Sequence, residues 1–412
     1  MEKNRVLKIL LTVSVLVAVF FLGALSSMTD DEMFEKFSPV FEILTYIDRN
    51  YYDIEKVDYD AVLNETLTGT MRGLDDPFAW YFDPVQTKEN ELDTTSKYGG
   101  IGSTVQYNIE FDCLEVVAPM AGSPSERVGL RAGDLILTID GVPVSEVGYY
   151  GAVNMLRGDP DSQVVLEVYR ESVENPFFVE ITRAFIEIKS VKTELLTVED
   201  TEISYIQITG FNAPTYDEFQ DALNLSRESG AFIIDLRNNP GGLLQSVLNI
   251  SSLMLPKGKR VITIRYRDGQ EEVYNSWGSR YNSYFTDKPI VVLVNDGSAS
   301  ASEILTGALK DHGLATVIGT TTFGKAAVQT VFNLSNGGEI WLPTAHYFTP
   351  NGSDIHLQGI EPDIIVEAGE QAPSEDGREL TLSTATVDVE HDLQLSKAIE
   401  TILEKLGVKV VN

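Results

Sequence analysis

The sequence is poor in cysteine and histidine and short of positive charge. It has one cysteine, Cys113, in 412 residues. A lone thiol closes no internal disulfide, and cysteine-rich zinc sites are excluded with it. The four histidines are His312, His346, His356 and His391, so a mechanism that needs a histidine cluster has few candidates. Lys and Arg total 31 against 62 Asp and Glu, a net charge of −31. A body so acidic is a poor partner for a phosphate backbone, which argues against DNA or RNA. Core-forming residues are not scarce: 43% apolar and 9% aromatic rule out a wholly disordered or fibrous chain. At roughly 150 residues per domain the length suggests two or three folded units.

Lys3, Arg5 and Lys8 precede Ile9–Leu25, a run without a charge. As a helix it spans about 26 Å, slightly short of a ~30 Å hydrocarbon core, and Val6 and Leu7 extend it if Lys8 snorkels. The positive flank stays on the cytoplasmic side, so the rest of the chain is expected outside. Two readings of residues 1–28 stand: a retained single-pass membrane anchor, or a signal peptide cut near Ala24-Leu25-Ser26. Both make the body extracytoplasmic.

Further on, residues 33–90 carry helical spacing, with Phe37, Val40, Phe41, Leu44 and Ile47 three and four apart. Glu89–Lys97 is polar and reads as a linker. Residues 98–186 hold many short strand-like runs with turn punctuation, among them CLEVVAP, RAGDLILTIDGVPV and SQVVLEVYR, the pattern of a small β-rich module. Residues 187–368 alternate the strand-like runs ISYIQI, AFIIDL, PIVVLVN and ATVIG with helix-like ones, which argues for an α/β core around a partly parallel sheet. Residues 369–380 read as a linker, and HDLQLSKAIETILEKLG as an amphipathic helix ending at Gly407.

Three segments of the core could carry chemistry. Asn295–Glu303 lies between PIVVLVN and a helix, where small residues around Ser300 let a substrate backbone approach and the helix start suits an oxyanion. The rival reading is structural: Ser300-x-x-Glu303 is a capping box. A serine nucleophile needs a base, and neither a Gly-x-Ser-x-Gly elbow nor a triad histidine is apparent. Lys325 leaves the strand ATVIG. Packed among Phe323, Ala326, Ala327 and Val328 its amine would lose its charge more readily, with Gln329 able to hold it by a hydrogen bond. Otherwise it is a solvated surface lysine. Gly319-x-x-x-x-Gly324-Lys325 also approaches a phosphate-binding loop, but Ala326 stands where a magnesium-binding hydroxyl belongs. In the third segment, Asp235–Gly242, paired glycines at a helix start can present amides to negative charge or simply make a turn.

Taken together, LRNNPGGLL, VLVNDGSASASEILTGALKD, GTTTFGKAAVQ and LPTAHYFTPNGSDIHLQGIEPDIIVE resemble the carboxyl-terminal processing proteases, tail-specific serine proteases with a Ser/Lys dyad. They occur in that family's order and spacing. The resemblance implies an α/β protease core with a mixed sheet, an inserted PDZ domain, and helical N- and C-terminal segments. On it, residues 29–95 are an N-terminal helical region, 96–186 the PDZ domain, 187–368 the protease core, and 369–412 a linker and C-terminal helical region. It further implies that Ser300 is the nucleophile, Lys325 the general base and Gln329 its orienter, with Ala301 and Gly241 or Gly242 supplying oxyanion amides. Tyr98, Gly99, Gly100, Ile101 and Gly102 match the carboxylate-binding loop that receives a chain terminus, and Arg157 matches a basic residue able to couple that domain to the active site. Two departures stand out. Ala326 replaces a glycine, and Asp76-Pro77-Phe78 is a looser form of a family stretch expected to lie outside the dyad.

The implied activity is extracytoplasmic endoproteolysis of proteins with free, unstructured C-termini, with no metal or organic cofactor. A scaffold that only binds tails, or a latent enzyme opened by substrate, is the alternative. Apolar stripes at 33–75 and 387–406 either make a homodimer or pack on their own chain.

Overall fold

The computed structural model describes residues 29–95, 97–198, 200–369 and 392–408. The apolar run Ile9–Leu25 and most of the expected linker at 369–380 lie outside the described residues. Among the described residues no helix is long and apolar enough to cross a membrane. The chain divides into two compact units, one ending at Leu67 and the other beginning at Thr68.

In the first unit, Thr29 and Glu32 cap the helix Asp30–Asn50 reciprocally, side chain to backbone in both directions. Phe34, Phe37, Phe41 and Tyr46 on this helix are exposed. A second helix, Tyr59–Arg72, starts where the Asp58 carboxylate accepts from the Asp60 and Ala61 amides.

Glu89–Lys97 is not a linker. Its greater part belongs to a helix, Pro84–Thr95, followed by the strand Lys97–Gly100. The start signal is Asp83-Pro84-Val85-Gln86: the Asp83 carboxylate accepts from the Val85 and Gln86 amides, and Gln86 accepts from the Asp83 N–H. Proline in the first turn loses no hydrogen bond there. The cap lies just ahead of the polar stretch, within which no apolar periodicity marks the helix.

The β-rich module is an antiparallel sheet in the order Ser103–Asn108, Cys113–Pro119, Leu135–Ile139, Gln163–Tyr169, Phe177–Thr182. It closes over the helix Val144–Leu156, which kinks at Gly148 (φ 66°). Leu114, Val116, Ile136, Ile139, Leu166 and Ile181 form its dry core. Lys97–Gly100 pairs antiparallel with Ala184–Glu187, so the chain enters and leaves the module through one two-stranded ribbon.

The α/β core is a six-stranded sheet in the order Val191–Val198, Thr201–Ile208, Ala231–Asp235, Ile290–Val294, Thr316–Gly319, Ile364–Ile365. The first strand is antiparallel to its neighbour and the rest are parallel. Ala231–Asp235 and Ile290–Val294 are buried at every position because both faces are covered. Phe232, Ile234, Val292 and Val294 face the helices Thr215–Leu225, Leu244–Met254 and Ala301–Asp311. Ile233, Val291 and Leu293 face the C-terminal helix Leu393–Leu406 through its Leu395, Ala398, Ile399 and Ile402. The C-terminal apolar stripe therefore packs on its own chain.

A second sheet joins Trp80–Phe82, Glu339–Phe348, Arg260–Tyr266, Glu271–Asn275 and Ala327–Asn333. Ala327–Asn333 pairs along Glu339–His346 with a register shift between Val328 and Gln329.

Ile402 is fully buried between the C-terminal helix and the sheet. Ile402→Ala should lower unfolding free energy by about 2–5 kcal/mol, seen as an earlier urea midpoint. An unchanged midpoint would mean the helix is not docked there.

Candidate active site

Three neighbouring parallel strands, Ala231–Asp235, Ile290–Val294 and Thr316–Gly319, end on the same edge of the sheet. The loops that follow them carry the three segments singled out in the sequence, and strand order alone brings these together. They surround a cavity of about 600 Å³ lined by Ser300, Ala301, Gly241, Gly242, Lys325 and Gln329, among others.

The cluster Ser298-Ala299-Ser300-Ala301-Ser302 offers three hydroxyls, and packing separates them. Ser298 is buried and donates to the Leu236 carbonyl (2.8 Å); Ser302 is buried and donates to the Asn239 carbonyl (2.9 Å). These two bind the loop of Ser300 to the loop after Asp235. Ser300 alone of the three lines the cavity. Its backbone stands at φ 54°, ψ −112°, a conformation costly for a residue with a side chain, on the order of 1–3 kcal/mol.

Glu303 holds that backbone in place. Its carboxylate is fully buried and accepts four hydrogen bonds. Oε2 receives the Ser300 N–H and the Lys325 N–H, both at 2.9 Å. Oε1 receives the Thr322 hydroxyl at 2.6 Å and the Gly324 N–H at 2.7 Å. Desolvation pushes its pKa above the ordinary carboxylate value, and the four donors oppose that push. Tyr347 completes the arrangement from the carbonyl side: its buried hydroxyl lies 3.0 Å from the Ser300 carbonyl oxygen and 2.9 Å from that of Lys325, donating to both. One carboxylate and one phenol thus hold the amides and carbonyls of both Ser300 and Lys325. The capping-box reading and the catalytic reading of Ser300-x-x-Glu303 are therefore compatible. Neither Glu303 nor Tyr347 was singled out for function from sequence; Glu303 carried a visible signal in the cap pattern, Tyr347 carried none.

Lys325 is half-buried, and desolvation lowers its pKa from the usual lysine value. No carboxylate lines the cavity beside it among the described residues. The ring below its Nζ, 5.6 Å to the centroid, is Phe78 rather than Phe323, which is largely exposed and meets Phe78 edge-on. Phe78 also binds Gln329: the side-chain Nε2 donates to the Phe78 carbonyl at 2.8 Å. That bond fixes the amide and leaves its Oε1 as an acceptor toward the cavity. The stretch Asp76-Pro77-Phe78, expected to lie outside the dyad, thus touches both Lys325 and Gln329, reached through chain pairing that no local pattern reveals. Ala326 is buried without conflict, its carbonyl accepting from Tyr347 N–H at 2.9 Å. The rings of His346 and His356 meet at a tilt of 36°, 4.3 Å between centroids, and neither lines the cavity.

The glycines differ in what they can offer. A Cβ on Gly241 would sit 2.7 Å from the Ala299 oxygen and 2.8 Å from Ser300 Cβ, so only glycine fits there. Its N–H, however, donates to Asn239 Oδ1 at 2.9 Å. Among the described residues the Gly242 and Ala301 amides take no such partner, which makes them the donors free to meet an oxyanion.

In the β-rich module Ile101, Gly102, Val153, Leu156 and Arg157 line a groove of about 220 Å³. Gly99 and Gly100 do not; they lie in the ribbon strand, where the Gly99 carbonyl accepts from Gly158 N–H at 3.0 Å. Tyr98 lines both this groove and the cavity of Ser300, with the Arg157 guanidinium 5.5 Å from its ring centre.

Comparison with known proteins shows the family. A model of peptidase family S41 matches residues 202–366, and a PDZ domain model matches residues 115–170. A carboxyl-terminal-processing protease of Synechocystis sp. is 41% identical over 297 residues, covering 71% of this chain and 68% of that protein. The carboxy-terminal processing protease CtpA of Bacillus subtilis is 35% identical over 353 residues, covering 85% and 72%. Among solved structures, a photosystem II D1 C-terminal processing protease is 31% identical with a TM-score of 0.47, covering 79% of this chain and 86% of that one.

Two stability measurements test the site. Glu303→Gln turns one acceptor oxygen into a donor facing two donors, and should destabilise by on the order of 3 kcal/mol in urea unfolding; a neutral effect would deny the four-bond clamp. For Lys325 the folded pKa lies below the unfolded one, so the folded state sheds its proton first and wild-type stability rises with pH through that window. Lys325→Met removes this dependence. The variant should exceed wild type in stability at pH 7, and the gap should close near pH ~10.4, the unfolded lysine value. A gap independent of pH would place the amine in water.

Proposed function

The chain belongs to peptidase family S41 and is a serine protease of the carboxyl-terminal processing kind, and from that premise we propose that Ser300 and Lys325 are its catalytic dyad. What supports the assignment is that both side chains line one cavity while a single buried carboxylate fixes both backbones. Ser300 Oγ attacks the scissile carbonyl carbon as its proton passes to the neutral Lys325 amine. Negative charge on the carbonyl oxygen is met by the Ala301 and Gly242 amides, already oriented by the backbone. Collapse of the tetrahedral state expels the amine, which takes the proton from Lys325. Water then attacks the acyl ester with Lys325 again as base, releasing the new carboxyl end and Ser300. Gln329 Oε1 orients the amine throughout without adding charge. Proton and charge are handled by side chains and amides alone.

The PDZ module supplies recognition in this reading. A free chain terminus lies along the groove with its carboxylate toward the Ile101 and Gly102 amides, and Arg157 and Tyr98 stand between groove and cavity. Substrates are accordingly proteins with free, unstructured C-termini, cut upstream of the bound end. The body works outside the cytoplasm, on the strength of Lys3, Arg5 and Lys8 ahead of Ile9–Leu25, which serves as anchor or export signal.

Ser300→Ala and Lys325→Ala should each slow cleavage of a protein with an apolar, floppy tail by at least ~10³-fold, followed by intact-mass spectrometry. Wild-type rates in both variants would refute the dyad. Amidating the substrate's terminus should raise KM; an unchanged KM would remove the PDZ role.

A further inference from the structure

We propose that Asp392, the first residue of the C-terminal helix's cap, is a positioning residue for catalysis, acting through Arg237 on the loop that presents the Gly242 amide. The inference rests on the Ser300–Lys325 reading above.

Arg237 opens the loop that ends at Gly242, directly after the strand Ala231–Asp235. Its guanidinium is anchored on two sides. On the sheet side it donates to both oxygens of Asp235, at 3.0 and 2.6 Å, and that carboxylate also accepts from Tyr205 at 2.7 Å. On the other side it donates to Asp392 Oδ1 at 2.9 Å and Gln394 Oε1 at 3.1 Å, with a second contact to Asp392 Oδ2 at 2.8 Å. Arg237 and Asp235 are already neutral as a pair. Asp392 therefore adds a surplus carboxylate, with a quarter of its side chain exposed, where charge balance does not call for one. What it adds is a third fixed direction for a planar fork, which stops the guanidinium from swinging about its Asp235 bond.

The consequence runs along the loop. Asn238, at φ 56°, is locked to Asn295 by two bonds of 2.8 and 2.9 Å. Asn239 donates to the Ile208 carbonyl, accepts from Gly241, and receives Ala299 N–H and the Ser302 hydroxyl on its own carbonyl. The links to Asn295, Ala299 and Ser302 join this loop to the nucleophile loop, and the bond to Ile208 ties it to the sheet. A shift at Arg237 is transmitted to Gly242 and Ser300 together, so the C-terminal helix belongs to the catalytic apparatus although no residue of it lines the cavity.

Asp392 also caps its helix by accepting from Leu395 N–H at 3.0 Å. Asparagine caps equally well, so Asp392→Asn removes the ionic link to Arg237 and keeps the cap. The variant, in the full chain, should lose kcat by on the order of ten-fold, since an oxyanion donor is displaced rather than deleted. KM for the tail-bearing substrate should stay within about two-fold, and affinity for a peptide aldehyde, which mimics the tetrahedral state, should fall in parallel with kcat. Should that variant not fold, Gln394→Ala, which deletes the second contact, must show the same split between kcat and KM at smaller amplitude. Unchanged kcat and aldehyde affinity in folded protein, or lowered stability alone, overturns the proposal. Ser300→Ala run in parallel separates the two levels: if it still cleaves, the dyad reading fails. If it is silent while Asp392→Asn matches wild type, only the role of Asp392 fails.

Discussion

The Glu303 carboxylate sits with no exposed surface, and Ser300 and Lys325, the proposed dyad, both hang on it through their amides. A buried carboxylate is tolerated only when its lone pairs are filled. Filling them requires that the loop after Ile290–Val294 and the loop after Thr316–Gly319 approach each other at one fixed spacing. The anion thus converts a solvation demand into geometry. Tyr347 repeats the demand in the opposite polarity, with one hydroxyl for two carbonyls. The unusual backbone of Ser300 is held against its own preference by these groups.

The same burial shapes the chemistry. Lysine is a base only when uncharged, and here the amine is partly desolvated, with no carboxylate lining the cavity beside it among the described residues. Phe78 contributes the apolar wall and, through its carbonyl, the orientation of Gln329. In the proposed mechanism the amine is partly desolvated where the proton moves, and unpaired amides stand where negative charge forms. That division follows from which loop each group stands on.

The alternation of strand-like and helix-like runs made the α/β core readable in sequence, because strands covered on both faces are continuously apolar. The β-rich module was readable from its short strands and turns. The ordered motifs pointed to Ser300 and Lys325 only in combination, since each segment alone had an adequate structural explanation. Composition could not separate Ser298, Ser300 and Ser302; only their hydrogen bonds do. The end of the helix Pro84–Thr95, from Glu89 on, was read as a linker because that stretch is polar and its helical start is written in capping chemistry just ahead of it. The hairpin Arg260–Tyr266 with Glu271–Asn275 went unremarked; its place is set by pairing with Glu339–Phe348, remote in sequence. Glu303, Phe78 and Asn239 matter through partners on other loops, and such partnerships come into being only with the strand order.

The ribbon of Lys97–Gly100 against Ala184–Glu187 returns the polypeptide to the place it left. The module is thereby a self-closed insertion whose two covalent junctions lie side by side, with its own dry interior. Replacing everything beyond that ribbon leaves the strand order of the hydrolytic half untouched. Such an arrangement lets the inserted module vary while the strand order of the protease core stays constant.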